Sequence, residues 1–295
     1  MNYAPIVLFV YNRIWHLKQT VESLLQNPLA AQSVLYIYSD AAKGSQDAPN
    51  VAEVRQYIHQ ITGFKEIHIY ESEKNLGLAP SVIRGVTEIL NQHKKAIVME
   101  DDLLCSTNFL DFMNDSLDLY AGQPHIFSIS GYAQPVQIPQ DFTDDVYLFP
   151  RASSWGWATW LDKWQQADWE VQDFDTFVKD KVAQSEFNQG GEDLTPMLFK
   201  QQRGLVSSWA VCWCYTHYKH QALSIYPRQS RIHNTGNDKS GVHSPKTSKY
   251  DAKLSSNAYS LPAEPKQNPV ISQNLQQLFK PSIIRRTINY FKFGI

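Results

Sequence analysis

Through its first half the chain alternates short, continuous apolar runs with segments whose apolar residues recur at helical spacing. Ile6–Tyr11 (IVLFVY), Val34–Ser39 (VLYIYS), Glu66–Tyr70, Ala96–Met99 and Ile126–Ser130 have the β-branched and aromatic content of buried strands. Between them Leu17, Val21, Leu24 and Leu25 follow Asn12, a residue type that caps helices. Val51–Ile61 forms a second periodic segment, and Val82, Ile83, Val86, Ile89 and Leu90 follow Pro80 in a third. Phe109, Leu110, Met113 and Leu117 mark a fourth around Asn108–Tyr120. This alternation predicts an α/β fold, a parallel sheet covered by helices on both faces.

From Gln134 the pattern changes to long loops, proline and a tryptophan cluster, S-S-W-G-W-A-T-W-L-D-K-W. Trp157, Trp160 and Trp164 stand at i, i+3 and i+7, which predicts a helical stripe. Helices are expected at Phe174–Val182, at Leu194–Gln202 between Asp193 and the stop at Gly204, and at Ser208–His220, with a short strand at Leu223–Tyr226. Residues 234–270 are polar and read as loop, and Ile283–Phe293 (IIRRTINYFKF) is basic with interspersed apolar residues. No linker divides the halves. The expectation is one domain over 1–243, with a nucleotide-binding part at 1–131 and an acceptor-side catalytic part at 132–243, followed by a loop and basic tail at 244–295.

Bulk properties narrow the function classes. The 295 residues are 43% hydrophobic and 19% charged with a net charge of −2, which argues against a nucleic-acid binder that works by neutralising phosphates. Cys105, Cys212 and Cys214 make no disulfide framework and no zinc spacing, which fits a reducing cytoplasm. Ile6–Val10 is too short for a secretory apolar region, and no window reaches transmembrane length.

The chemistry concentrates in AIVMEDDLL, where the Ala96–Met99 strand runs into Glu100, Asp101 and Asp102. Ligands of α/β sheets collect beyond the carboxyl ends of strands. Three adjacent carboxylates there repel one another unless a positive charge sits among them, and an all-oxygen donor set suits a hard divalent cation. A solvated acidic turn, or acids favoured by a helix N-terminus, is the plainer alternative.

Several residues together resemble the nucleotide-binding part of a GT-A-fold glycosyltransferase: Val10-Tyr11-Asn12-Arg13 closing the first strand, Asp40 after the second, the Asn75-Leu76-Gly77-Leu78 turn and the acid triplet. The E-D-D run is similar to the metal motif of the N-acetylglucosaminyltransferase I group. Gly190-Gly191-Glu192-Asp193 before a helix resembles the loop that supplies the base in inverting members. The resemblance covers about residues 4–243 and implies a mostly parallel sheet with a C-terminal acceptor-side subregion. It further implies a transfer of a hexose from a nucleoside diphosphate sugar, UDP favoured, to a glycan or lipid-linked acceptor in bacterial surface polysaccharide synthesis, lipopolysaccharide or capsule.

Residue by residue, the resemblance makes Asp102 a ligand of Mn²⁺ or Mg²⁺ and His243 a second ligand, with Glu100 and Asp101 meeting ribose, sugar hydroxyls or metal-bound water. Arg13, and more weakly Arg84, would pair with the diphosphate, while Asp40 and Asn75 would meet base or ribose. Asp193 would be the general base with Glu192 beside it, Gly191 would leave room for a sugar, and Trp155 or Trp157 would line the site. Plain structural readings stand beside these: a surface His243, a turn-forming Asn75, an N-capping Asp193 and a packed tryptophan stripe. Arg285, Arg286 and Lys292 either belong to a helix packed on the domain or meet anionic headgroups at a membrane surface. A nucleotidyltransferase would want a glycine-rich basic loop after the first strand, and Tyr11-Asn12-Arg13 has no glycine. The other alternative is a binding protein of the same fold that has lost turnover.

Overall fold

The computed structural model of the chain describes residues 3–238 and 247–293. In chain order the first half comprises β1 (Ile6–Val10), α1 (Ile14–Leu25), β2 (Val34–Ser39), α2 (Ala48–Ile58), β3 (Glu66–Glu71), α3 (Leu78–His93), β4 (Lys95–Glu100), β5 (Leu103–Cys105), α4 (Phe109–Tyr120) and β6 (Ile126–Ser130). The second half adds β7 (Val146–Phe149), β8 (Trp157–Trp160), α5 (Leu161–Trp164), α6 (Phe174–Phe177), α7 (Lys181–Phe187), α8 (Leu194–Gln202), α9 (Trp209–Lys219), β9 (Leu223–Pro227), β10 (Ile232–Asn234), α10 (Pro269–Phe279) and α11 (Ile283–Phe293).

Eight strands form one mixed, mostly parallel sheet in the order β3-β2-β1-β4-β8-β6-β9-β7, flanked by helices, as the α/β expectation requires. β3, β2, β1 and β4 pair in parallel, as do β6 and β9, while β8 lies antiparallel between β4 and β6 and β7 is antiparallel to β9. The order reverses at β1, with β2 and β3 on one side and β4 on the other. That reversal opens a crevice between the carboxyl ends of β1 and β4, the place where ligands of open α/β sheets bind. On one face α1, α2 and α4 bury Leu17, Val54 and Phe109 against the sheet, and on the other α3, α8 and α9 bury Val86, Leu198 and Trp213.

The tryptophan cluster departs from the helical expectation. Trp157–Trp160 is strand β8, with Trp157 paired to Val98 and Trp160 to Lys95. Strand alternation sends the two rings to opposite faces. Trp157 stacks on Trp209 at 4.9 Å and meets Trp164 at 5.5 Å, whereas Trp160 enters the other core and donates its indole N–H to Leu117 O at 3.1 Å. A central strand is buried on both faces, so large apolar residues can stand on either side of it, and two tryptophans three apart mimic helical spacing over so short a run.

Other differences have local causes. The helix expected over Phe174–Val182 breaks into α6 and α7 because the Asp180 carboxylate accepts from Val182 N and Ala183 N and starts a new helix. Asn12 does not cap α1: its side-chain amide donates to Asp47 instead. The polar segment after β10 is packed rather than detached. The guanidinium of Arg231 donates to Asn108 Oδ1, Ser255 O and Asn257 O, each at 2.8 Å, and Leu148 N donates to Lys266 O. α10, unforeseen, is started by Asn268 and Pro269 and closes a third core through Ile271, Leu275 and Phe279.

Replacing Trp157 by alanine is expected to lower the unfolding free energy by about 3–5 kcal/mol, the range for a large buried aromatic. Half-buried Trp155 should lose clearly less on the same change, and denaturant titration of the two variants measures the difference.

Candidate functional site

At the β1–β4 crevice the chain brings its acids together around one arginine. Arg13, the residue before α1, donates from Nη2 to Asp101 Oδ1 and to Asp102 Oδ2, the latter at 2.7 Å. Asp101 also accepts from Tyr11 N at 3.3 Å, and its carbonyl accepts from the Thr20 hydroxyl at 2.9 Å. Both aspartates are buried, and Glu100, at the end of β4, makes no side-chain hydrogen bond among the described residues. Burial, then the charges of Asp102 and Asp101, push the Glu100 carboxyl up to about 8. Burial pushes Asp101 up to about 6, with the Arg13 guanidinium pulling against it. The same neighbours hold Arg13 firmly protonated against its own desolvation.

The far wall of the crevice was not foreseen from the sequence. β10 pairs with β5 antiparallel, Asn234 against Leu103, and so lays the N-T-G-N-D run over the triplet. Thr235 donates its N–H and its hydroxyl to Asp102 O at 2.9 and 3.0 Å. A Cβ on Gly236 would lie 2.0 Å from Asp102 Oδ2, so only glycine admits the carboxylate here. Farther along, Asp238 Oδ2 sits 3.2 Å from Nε2 of buried His16. The sequence signal was the N-T-G-N-D polar run itself, just after Ile232. His243 lies outside the described residues.

The remaining nucleotide-side candidates divide. Tyr11 OH and Asn12 Nδ2 both donate to Asp47, at 3.0 and 3.3 Å, and Val10 O accepts from Asp40 N. Asp40 is a clamp on the N-L-G turn: its carboxylate accepts from Leu76 N, Gly77 N and Asn75 Nδ2, and Asn75 also donates to Ala41 O at 2.7 Å. Gly77, with φ +79, takes a backbone conformation that favours glycine, and Leu78 begins α3 there. Arg84 is exposed on α3, where it lines a cavity of about 570 Å³ with Asp40, Tyr38 and Tyr70, whose rings stack at 4.8 Å.

The expected catalytic loop forms a second cluster. Asp193 is held bidentately by Arg151, Nη1 to Oδ1 at 2.8 Å and Nη2 to Oδ2 at 2.9 Å. Arg151 also donates to Gly190 O and lies 3.9 Å over the Phe279 ring. A Cβ on Gly191 would strike Arg151, Asp193 and Phe279, so this glycine makes room for the ion pair and α10. Glu192 is freer, with Lys280 Nζ at 3.7 Å. Among the described residues no hydrogen bond or ion pair joins Asp193 to the acid triplet. Trp155 is half-buried, 4.6 Å from Tyr132, just ahead of β8 and hence beside the end of β4. Trp157 belongs to the core, as described above. Arg151, a lone arginine between apolar runs, was passed over in the sequence.

The donor chemistry of the triplet, all carboxylate oxygen, fits a hard divalent cation, and Glu100 and Asp102 are the residues that would hold one. The described residues contain no cluster of three converging ligands, and Arg13 supplies the positive charge between the aspartates.

No protein-family model matches the chain, and no curated protein matches its sequence. Among solved structures it is similar to S. aureus TarS 1–349 at 10% identity and a TM-score of 0.42, over 78% of this chain and 60% of that one. It is also similar to mannosyltransferase PcManGT from Pyrobaculum calidifontis, in complex with GDP-Man and Mn²⁺, at 13% identity and 0.37, over 53% and 45%. The apo form of mouse xyloside xylosyltransferase 1 gives 10% and 0.40, over 75% and 83%. The chain thus spans less than two thirds of the first two. Likeness at this level does not extend to chemistry.

Glu100 and Asp101 hold protons more tightly in the folded state than in the unfolded chain. Their contribution to stability is therefore full below the ordinary carboxylate range and is lost as pH rises through about 6 for Asp101 and about 8 for Glu100. In chelator-treated protein the melting temperature is expected to fall by several degrees between pH 5 and pH 8, and Glu100→Gln is expected to flatten that slope; differential scanning calorimetry across the range checks it.

Proposed function

We propose that this chain is a glycosyltransferase of the GT-A type that takes a hexosyl group from a nucleoside diphosphate sugar, UDP favoured, to a hydroxyl of a glycan or lipid-linked acceptor. The observation that carries the reading is the position of the charge cluster. Arg13, Glu100, Asp101 and Asp102 stand at the carboxyl ends of β1 and β4, where the strand order reverses, with Thr235 and Gly236 closing over them. A crevice with a guanidinium and convergent carboxylates suits a ligand that brings both phosphate charge and ring hydroxyls.

In this reading Arg13 trades its aspartate partners for diphosphate oxygens when the donor binds, a bidentate match that guanidinium geometry favours. Asp101, released in part, accepts from ribose or sugar hydroxyls. Asp102 and Glu100 hold the divalent cation. When bound, that cation neutralises the leaving diphosphate. Gly236 keeps the wall over Asp102 thin, and Trp155 offers a half-buried aromatic face to a sugar ring.

The acceptor proton goes to the Glu192–Asp193 pair. Arg151 occupies both carboxylate oxygens of Asp193, which favours Glu192 for the proton and Asp193 for holding the loop. A base on the acceptor side makes the displacement direct and inverting. Bacterial surface polysaccharide synthesis at the cytoplasmic side follows from the family resemblance. The clamped Asp193 also supports a second reading, a nucleotide-sugar-binding protein without turnover, and metal-dependent donor hydrolysis separates the two.

Calorimetric titration with UDP, GDP, CMP and dTDP, each with and without Mn²⁺, is expected to show one nucleotide binding in a metal-dependent way, with Asp102→Ala weakening it at least about tenfold. Metal-independent binding of equal strength to the wild type and Asp102→Ala would remove the site from the triplet. Glu192→Gln is expected to lower kcat by about 10²-fold or more with the melting temperature unchanged. Asp193→Asn is expected to destabilise the fold by about 3 kcal/mol, because it leaves the Arg151 charge buried and unpaired.

A further inference from the structure

The helix α11 is turned inside out relative to a surface helix of a soluble domain. At 100° per residue Tyr290, Ile283, Thr287, Phe291, Ile284 and Ile288 follow one another around the helix and span roughly 160°. All of them face solvent: Ile283 is 82% exposed, Phe291 80%, Ile284 75% and Tyr290 67%. The side turned to the domain carries instead Asn289, whose buried Oδ1 has no hydrogen-bond partner among the described residues, and Phe293. Amphipathic helices normally bury the apolar arc and expose the amide.

The edges of the exposed arc are basic. Arg286 stands on one flank and Lys292 and Arg285 on the other, and residues 281–293 contain no acid. α8 adds Lys200 and Arg203 where the two helices meet: both cations lie over the Phe293 ring, at 5.9 and 5.2 Å, and Arg203 Nη1 donates to Lys292 O at 3.3 Å. Burial, and then the charges of Arg285 and Lys292, make the Lys200 ammonium easier to deprotonate.

We infer that the outward face of α11 docks this protein on an anionic lipid surface, with the isoleucine and aromatic side chains entering the headgroup boundary and the Arg and Lys side chains pairing with lipid phosphates. An apolar arc with a cationic rim is the pattern of helices that lie in the membrane interface. A second copy of the chain fits less well, because a twofold contact through this face would set two like-charged rims against each other. No helix among the described residues is long and apolar enough to cross a membrane, so the contact is peripheral. The inference is independent of the transfer reaction proposed above.

Vesicle flotation of the full chain tests it, with vesicles of phosphatidylcholine alone or mixed with phosphatidylglycerol. Binding to the anionic vesicles is expected to be at least about tenfold tighter than to the neutral ones and to weaken with salt. The double change Ile284→Glu and Phe291→Glu should cut anionic binding about tenfold or more, and Arg285→Ala with Arg286→Ala should cut it while leaving the apolar arc intact. Both pairs are exposed, so melting temperatures and nucleotide binding should not move. Failure of the wild type to float with anionic vesicles overturns the proposal, as does unchanged binding in both double variants. A concentration-dependent dimer in light scattering that the glutamate pair abolishes, with no vesicle binding, assigns the face to a second copy instead.

Discussion

The contact on which the rest of this architecture depends is the guanidinium of Arg13 set between the carboxylates of Asp101 and Asp102. Consecutive acids at a strand end are costly, since burial and the Asp102 charge raise Asp101, and burial and both charges raise Glu100. One arginine meets two of them from the neighbouring strand's loop, and in doing so fixes the turn after β1 against the turn after β4. The backbone then secures what the charges begin, through Tyr11 N, Thr20 and Thr235. The crevice is therefore preformed, and it rests on an ion pair held between two turns.

Around that centre the structure separates two tasks. Glu100, at the end of β4, makes no side-chain hydrogen bond among the described residues, while Asp40 and Asp193, also candidates in the sequence, hold backbone and an arginine. Asp40 is taken up by the 75–77 turn and Asp193 by Arg151, with Phe279 from α10 stacked on the far side. A carboxylate with every oxygen bonded inside the protein positions a loop. Glu100, only partly exposed, has no such partner among the described residues.

Much of the fold was legible because long periodic segments are decided locally. β2, β6 and α8 match the sequence reading, and the strand-then-triplet arrangement is as read. What failed was set by partners distant in the chain. Trp157–Trp160 has helical spacing and becomes a strand because β4 and β6 flank it. Asn12 has the chemistry of a cap and is drawn to Asp47, and α10 is a helix largely because a third core waits for Ile271, Leu275 and Phe279. The wall of Thr235 and Gly236 was illegible for the same reason: only the β5–β10 pairing brings it to Asp102. Arg151 carries no motif, and its place beside Asp193 is a tertiary fact.

The inserted position of β8 bears on the order in which the molecule can be assembled. During synthesis β1 to β4 emerge first, and β4 stands as an apolar edge without its β8 partner until β8 arrives about sixty residues later. The next strand, β6, joins the sheet only through β8 and β9, although it is made earlier than both. The nascent N-terminal half is thus a template awaiting a strand from the other half, and a chain stalled or cut between residues 105 and 157 would present that edge for self-association. No linker separates the two halves along the sequence, and the shared sheet makes them a single act of folding.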